Sequence, residues 1–138
     1  MTTDAGSDGL GSEPGGPLQP PLPSPPPLPL PLQPFEPPYY AVIFTSLRTQ
    51  GDHGYGEVAR RMEELVREVP GFLGVESART PGGLGITVGY FDSAGAIEAW
   101  RSQVEHRAAQ ERGRDQWYEG YAVHISKVER SYAFVREQ

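Results

Sequence analysis

The sequence predicts a single α+β domain of β-α-β-β-α-β order, with both helices on one face of a four-stranded antiparallel sheet. Three observations predict it. Composition changes sharply at Tyr39. Beyond that point, four apolar, β-branched stretches alternate with two stretches of helical spacing in the required order. Turn chemistry separates the second strand from the third.

The change at Tyr39 is one of charge as well as proline content. Thirteen of the fifteen prolines precede Tyr39, and all twelve Lys and Arg residues follow it. The leading stretch carries Asp4, Asp8, Glu13 and Glu36 and no base. Its Pro-Leu-Pro repeats favour polyproline II and supply little for a core. Residues 1–38 are therefore expected to be a disordered Pro-rich tail, and residues 39–138 the folded domain. Several PxxP matches allow an SH3-type ligand, but a passive tail, or a start codon placed too far upstream, accounts for them more simply.

The domain itself holds fourteen acids and twelve bases. Such near-neutrality argues against nucleic acid, whose phosphates require a concentrated basic patch. The chain has no cysteine, which removes disulfides, thiol nucleophiles and Cys-based metal sites. No apolar run is long enough to cross a membrane as a helix. The first residues lack a basic region, and prolines interrupt their leucines, so no secretory signal is expected. A cytoplasmic protein is the expectation.

Tyr39–Thr45 is apolar and aromatic, a short buried strand. Gly51-Asp52-His53-Gly54-Tyr55-Gly56 is a loop by its glycines; it lacks the Lys-Ser/Thr of a phosphate cradle. Val58, Met62, Leu65, Val66 and Val69 follow helical spacing up to Pro70-Gly71. Phe72–Ala78 and Leu84–Phe91 read as a hairpin joined through Thr80-Pro81-Gly82-Gly83, with glycines in the second strand that suggest close backbone or ligand approach. Asp92 or Ser93 can cap the next helix. Ile97, Trp100, Val104 and Ala108 share one face of it, and Gly113 is expected to end it. The last strand should run from Tyr118 to Phe134, with Tyr121, Val123 and Ile125 alternating against Ala122, His124 and Ser126.

That order is the ferredoxin-like arrangement. Alternating Tyr, Phe and Ile make the face of the sheet away from the helices too apolar to leave wet. A homodimer packed through that face is expected.

Among the three histidines, no pair has local metal spacing, so no metal site is expected. His106 is the best candidate for proton transfer, because histidine alone titrates near neutrality unperturbed. A helical histidine paired with Glu105 or Asp115 is the plainer alternative. Trp100, Trp117, Tyr118 and Tyr121 form the densest aromatic region. They suit either a core or a pocket for a flat, electron-rich ligand.

Three stretches carry a resemblance. Pro70-Gly71 with Phe72–Ser77, Gly85–Phe91 with Ala96–Trp100, and Glu105–Gln110 followed by Trp117-Tyr118 are similar to the antibiotic biosynthesis monooxygenase family. The resemblance covers residues 39–134. It implies a dimeric α+β barrel with a pocket in each subunit. It also implies a cofactor-independent monooxygenase or oxidase that acts on a small aromatic or polyketide-like compound with molecular oxygen, without flavin or metal. His106 would be the catalytic group, and Trp100, Gln110, Trp117 and Tyr118 would bind substrate. The haem-degrading branch is less well matched. Its haem-binding histidine falls at Gln110 here, a poor iron ligand, and its first-strand asparagine falls near Thr45-Ser46. A non-catalytic small-molecule-binding or stress-related protein on the same dimeric fold is the alternative.

Overall fold

A computed structural model describes residues 30–137. The earlier part of the Pro-rich stretch, and the conformation expected of it, lie outside the described residues. The sheet and helices belong to one compact unit, Pro31–Gln138.

Four strands, β1 (Tyr39–Arg48), β2 (Phe72–Arg79), β3 (Leu84–Phe91) and β4 (Tyr118–Val128), form one sheet in the order β2-β3-β1-β4. All neighbours are antiparallel. Helices α1 (Tyr55–Val66), α2 (Ala94–Ser102) and α3 (Val104–Arg112) connect them, and a single π turn, Gly113–Trp117, leads into β4. This is the ferredoxin-like α+β arrangement expected from the sequence.

Register decides which side chains meet the helices. Phe44 stands opposite Thr87 on β3 and Val123 on β4, and Val42 opposite Gly89 and Ile125. Directly opposed residues share a face. The even-numbered residues of β1 therefore lie under the helices, where Phe91, Val66, Ala96 and Ile97 form the buried core with Tyr40, Val42, Phe72 and Trp100 against it. Burying a side chain of this size contributes roughly 1.5–3 kcal/mol.

The opposite face carries Tyr39, Ala41, Ile43, Val88 and Tyr90. The segment just before β1 lies on part of it. Phe35 meets Tyr39 edge-to-face at 5.4 Å and Tyr90 at 5.7 Å, and the Leu32 amide donates to the Glu76 carboxylate at 2.7 Å. Contact with the sheet thus begins several residues before Tyr39. Further along that face Leu47, Leu84 and Ile86 are exposed.

Four expectations change in detail. The first helix starts at Tyr55 and ends at Val66, so Val69 lies beyond it. The second helix is broken at Gln103, whose backbone is extended (φ −63°, ψ 134°). The break removes Val104 from the apolar face, leaving it 79% exposed. Gly113 does not stop the chain's helical course: it is right-handed, and a π turn continues to Trp117. The last strand stops at Val128, because its neighbour β1 begins at Tyr39, the partner of Val128. Ser93, one of the two capping candidates, holds the start of α2, its Oγ accepting from the Ala96 amide at 3.1 Å. Among the described residues no helix is long and apolar enough to cross a membrane.

Candidate active site

Between the helices and the sheet lies a cavity of about 790 Å³. That is within the range of small-molecule sites. Val42, Phe44, Thr87 and Gly89 form its floor, and Met62, Val66 and Ile97 part of its walls. His106, Trp100, Gln110, Trp117 and Tyr118 all line this one cavity.

The break at Gln103 is what brings His106 to Trp100. In an unbroken helix, residues six apart point about 120° away from each other. Here the Gln103 amide donates to the Trp100 carbonyl at 3.2 Å and closes α2. The Gln103 side chain then accepts from the His106 amide at 2.8 Å and opens α3. The chain turns back at that point, and the imidazole stacks on the indole with centroids 4.0 Å apart and planes within 12°.

His106 Nδ1 lies 2.9 Å from the Trp100 carbonyl oxygen. A carbonyl only accepts, so Nδ1 carries the proton. The Gln110 amide nitrogen, 3.4 Å from the same Nδ1, is then a contact between two donors rather than a second bond. Nε2 is left with its lone pair and has no hydrogen-bond partner among the described residues. Burial holds the imidazole below its ordinary pKa, against a smaller opposing effect of the Trp100 carbonyl. The ring is thus a neutral base. Glu105 is not its partner, since that carboxylate forms a two-bond pair with Arg61 of α1.

Trp117 is buried, at 3% exposure, and belongs to the end of the π turn rather than to the last strand. Its indole donates to the His53 carbonyl at 2.9 Å. Its own carbonyl accepts from the Thr49 amide at 2.8 Å and from Arg48 Nε at 3.0 Å. These bonds fix the loop before α1, where His53 has φ 51° and Gly51 and Gly54 φ near 80°. The glycines make that left-handed course possible. The loop delivers Tyr55 to the cavity, edge-on to Trp117 at 5.6 Å and to Tyr118 at 6.0 Å.

Tyr118 also meets Phe44 at 5.4 Å and Tyr121 at 5.8 Å. Its hydroxyl is pushed far above the usual phenol range, first by burial and then by Tyr55, so it stays a donor at any ordinary pH. Arg48 and Arg79 act on it in the opposite sense. Sequence reading passed over Tyr55, Arg48 and Arg79. Tyr55 sat inside a segment read only for its glycines, and nothing local to either arginine showed that it bonds to backbone carbonyls rather than to a carboxylate.

The architecture is thus a helix-covered antiparallel sheet with a cavity between the two layers. The antibiotic biosynthesis monooxygenase family matches residues 38–112, and the chain belongs to it. It is 58% identical over 99 residues to the protein YqjZ of Bacillus subtilis (strain 168), covering 72% of this chain and 87% of the relative. Among solved structures it resembles SnoaB, a cofactor-independent oxygenase from Streptomyces nogalater. The TM-score is 0.59 at 9% identity, over 68% of this chain and 96% of that one. An antibiotic biosynthesis monooxygenase from Nitrosomonas europaea, so described provisionally, gives a TM-score of 0.56 at 13% identity, over 66% and 89% of the two chains. At these identities the structural matches establish the fold alone.

Proposed function

We propose that this protein is a cofactor-independent monooxygenase or oxidase acting on a small aromatic or polyketide-like compound, with His106 as its general base. The observation that carries the proposal is the stacked, Nδ1-anchored imidazole in an aromatic cavity. Family membership and the likeness to an oxygenase support it. A ligand ring lies against Trp100, Trp117 and Tyr118, with Gln110 at its polar rim. His106 Nε2 removes a proton from an acidic C–H or O–H, and the resulting carbanion reduces molecular oxygen. Conversion of a CH₂ to a C=O with release of water balances with one O₂, and the substrate supplies all the electrons. The protein works in the cytoplasm as a homodimer, the second copy covering exposed Leu47, Leu84 and Ile86 on the sheet face away from the helices.

The test is oxygen consumption against a panel of anthrones and hydroquinones, wild type beside His106→Ala. Uptake with at least one compound, lost in the variant, is expected. No uptake with any compound, or equal uptake in both proteins, overturns the proposal.

A further inference from the structure

We infer that Gln103 is a positioning hinge for His106: the segment from Ala94 to Arg112 has two helical states, a broken one that puts the imidazole into the cavity and a continuous one that withdraws it. The inference concerns how the cavity acquires this ring and goes beyond the chemistry proposed for it.

The segment carries a pattern that its structure does not use. Ile97, Trp100, Val104 and Ala108 recur at the spacing of one helical face. In a continuous helix Val104 lies about 40° around the axis from Trp100 and about 20° from Ile97. In the structure Ile97 is buried, whereas Val104 and Ala108 are both exposed. The second half of an apolar stripe therefore faces water. Nothing in the local sequence demands the break. No glycine or proline lies between Ile97 and Arg112, and glutamine is a good helix former.

A small set of exchangeable contacts holds the break. In a continuous helix the Trp100 carbonyl would accept from the Val104 amide. Here it accepts from the Gln103 amide at 3.2 Å and from His106 Nδ1 at 2.9 Å. The Gln103 side chain caps the His106 amide at 2.8 Å. Beyond the break, α3 has no buried residue. Its ties to other elements include the stack on Trp100, the exposed Arg61–Glu105 pair with α1 and the Arg112 bond to the His53 carbonyl.

Magnitudes allow both states to be populated. A side-chain cap shifts a helix equilibrium by about fivefold, a stacked ring pair by a similar factor of about five, and an exposed ion pair by less. Against them, returning one valine to an apolar face favours the continuous form by roughly tenfold. Opposing factors of this size leave a minor form of about 0.1–10%. Straightening turns His106 about 120° from Trp100 around the axis, out of the stack. A ligand that donates a hydrogen bond to His106 Nε2 binds the broken form and so selects it. Gln103 thereby sets the fraction of molecules whose imidazole is in place.

The test reads His106 by NMR on the full-length protein without substrate. A ring stacked 4.0 Å over an indole is moved upfield by the ring current. The His106 Cε1 proton, identified by its loss in His106→Gln, should therefore lie upfield of those of His53 and His124. Gln103→Leu removes the cap acceptor and keeps helix propensity. It should abolish the upfield shift while helical circular dichroism holds or rises. Gln103→Asn can still cap and should keep the shift. Wild-type His106 should show relaxation dispersion on the microsecond-to-millisecond scale. Val104→Asp should lower the minor population at least about fivefold, because an acid suits the exposed first residue of α3 and forfeits the apolar gain of the continuous form. An upfield shift retained in Gln103→Leu, its loss together with a loss of helix, or flat dispersion at His106 in the wild type overturns the inference. The dispersion measurement depends on no variant folding. None of these readouts involves oxygen uptake, so the hinge and the oxygenase reading fail separately.

Discussion

Trp117→Phe tests whether the indole, rather than the bulk of the ring, organises the cavity mouth. The substitution keeps an aromatic at a position 3% exposed. It removes the Nε1 hydrogen bond to His53, worth about 1 kcal/mol. The His53 carbonyl is not orphaned, because Arg112 still donates to it at 2.9 Å. The indole buries on the order of 40 Å² more than a phenyl ring. At roughly 25 cal/mol per Å² that adds about 1 kcal/mol. The expected loss is therefore about 2 kcal/mol, or roughly 8–16 °C in the midpoint of a domain this size. Urea and thermal unfolding at one fixed protein concentration measure it. Trp117→Ala should cost about 3–5 kcal/mol. A Trp117→Phe loss below about 0.5 kcal/mol would refute the reasoning. The loop from Thr49 to Gly54 would then be held by Arg48 and Arg112 without help from the indole.

Four further outcomes are expected. Ser93→Ala removes the only side-chain acceptor at the start of α2 and should cost about 1 kcal/mol in urea unfolding. The folded-state pKa of His106 is depressed, so its contribution to stability is complete above about pH 6.5 and is lost as pH falls through the folded value. Stability profiles of wild type and His106→Gln should accordingly diverge only below that point, and the acidic limb of the activity profile, where His106 becomes protonated, should lie below about pH 6.5. Hemin added to micromolar protein should give no Soret shift, and a clear shift would favour a haem role for the free Nε2. Removal of residues 1–37 should lower stability by about 1.5 kcal/mol relative to removal of residues 1–29, because only the longer deletion takes away Phe35 from Tyr39 and Tyr90.

Most of the sheet was legible in the sequence, because strands buried on the helix side must alternate and hairpin turns need special residues. The Thr80–Gly83 turn and the Ser93 cap are local chemistry, visible without a fold. The break at Gln103 is not local in that way. Glutamine is an ordinary helix residue. It interrupts the helix because its side chain caps the next turn and the Trp100 carbonyl gains His106 as well. The true end of β4 was also hidden. Apolar residues continue to Val135, but pairing stops where β1 stops. In the cavity, residue type had pointed to His106 and the aromatic cluster, and all of them line it. The partners of Arg48 and Arg79 could not be read. An arginine bonded to carbonyls and one bonded to a carboxylate look alike until the backbone is in place.

The boundary at Tyr39 separates regular structure from packing. Proline content marks where regular structure begins, and β1 does begin at Tyr39. It does not mark where packing begins. Leu32 and Phe35 are apolar residues between the prolines, and both reach the sheet face away from the helices, over Gly74. A Cβ at Gly74 would crowd the Leu32 side chain. That face is thus divided. Its Tyr39–Tyr90 end is covered by the chain's own Phe35, while Leu47, Leu84 and Ile86 at the other end are 41%, 56% and 46% exposed. The proposed second copy therefore has its apolar ground at the Leu84 end, and it meets an intramolecular competitor at the Tyr90 end. If it covers the whole face, the segment from Pro31 to Pro38 must be displaced. The 1–37 deletion would then strengthen dimerisation while weakening the isolated subunit, and sedimentation across a concentration series separates the two effects.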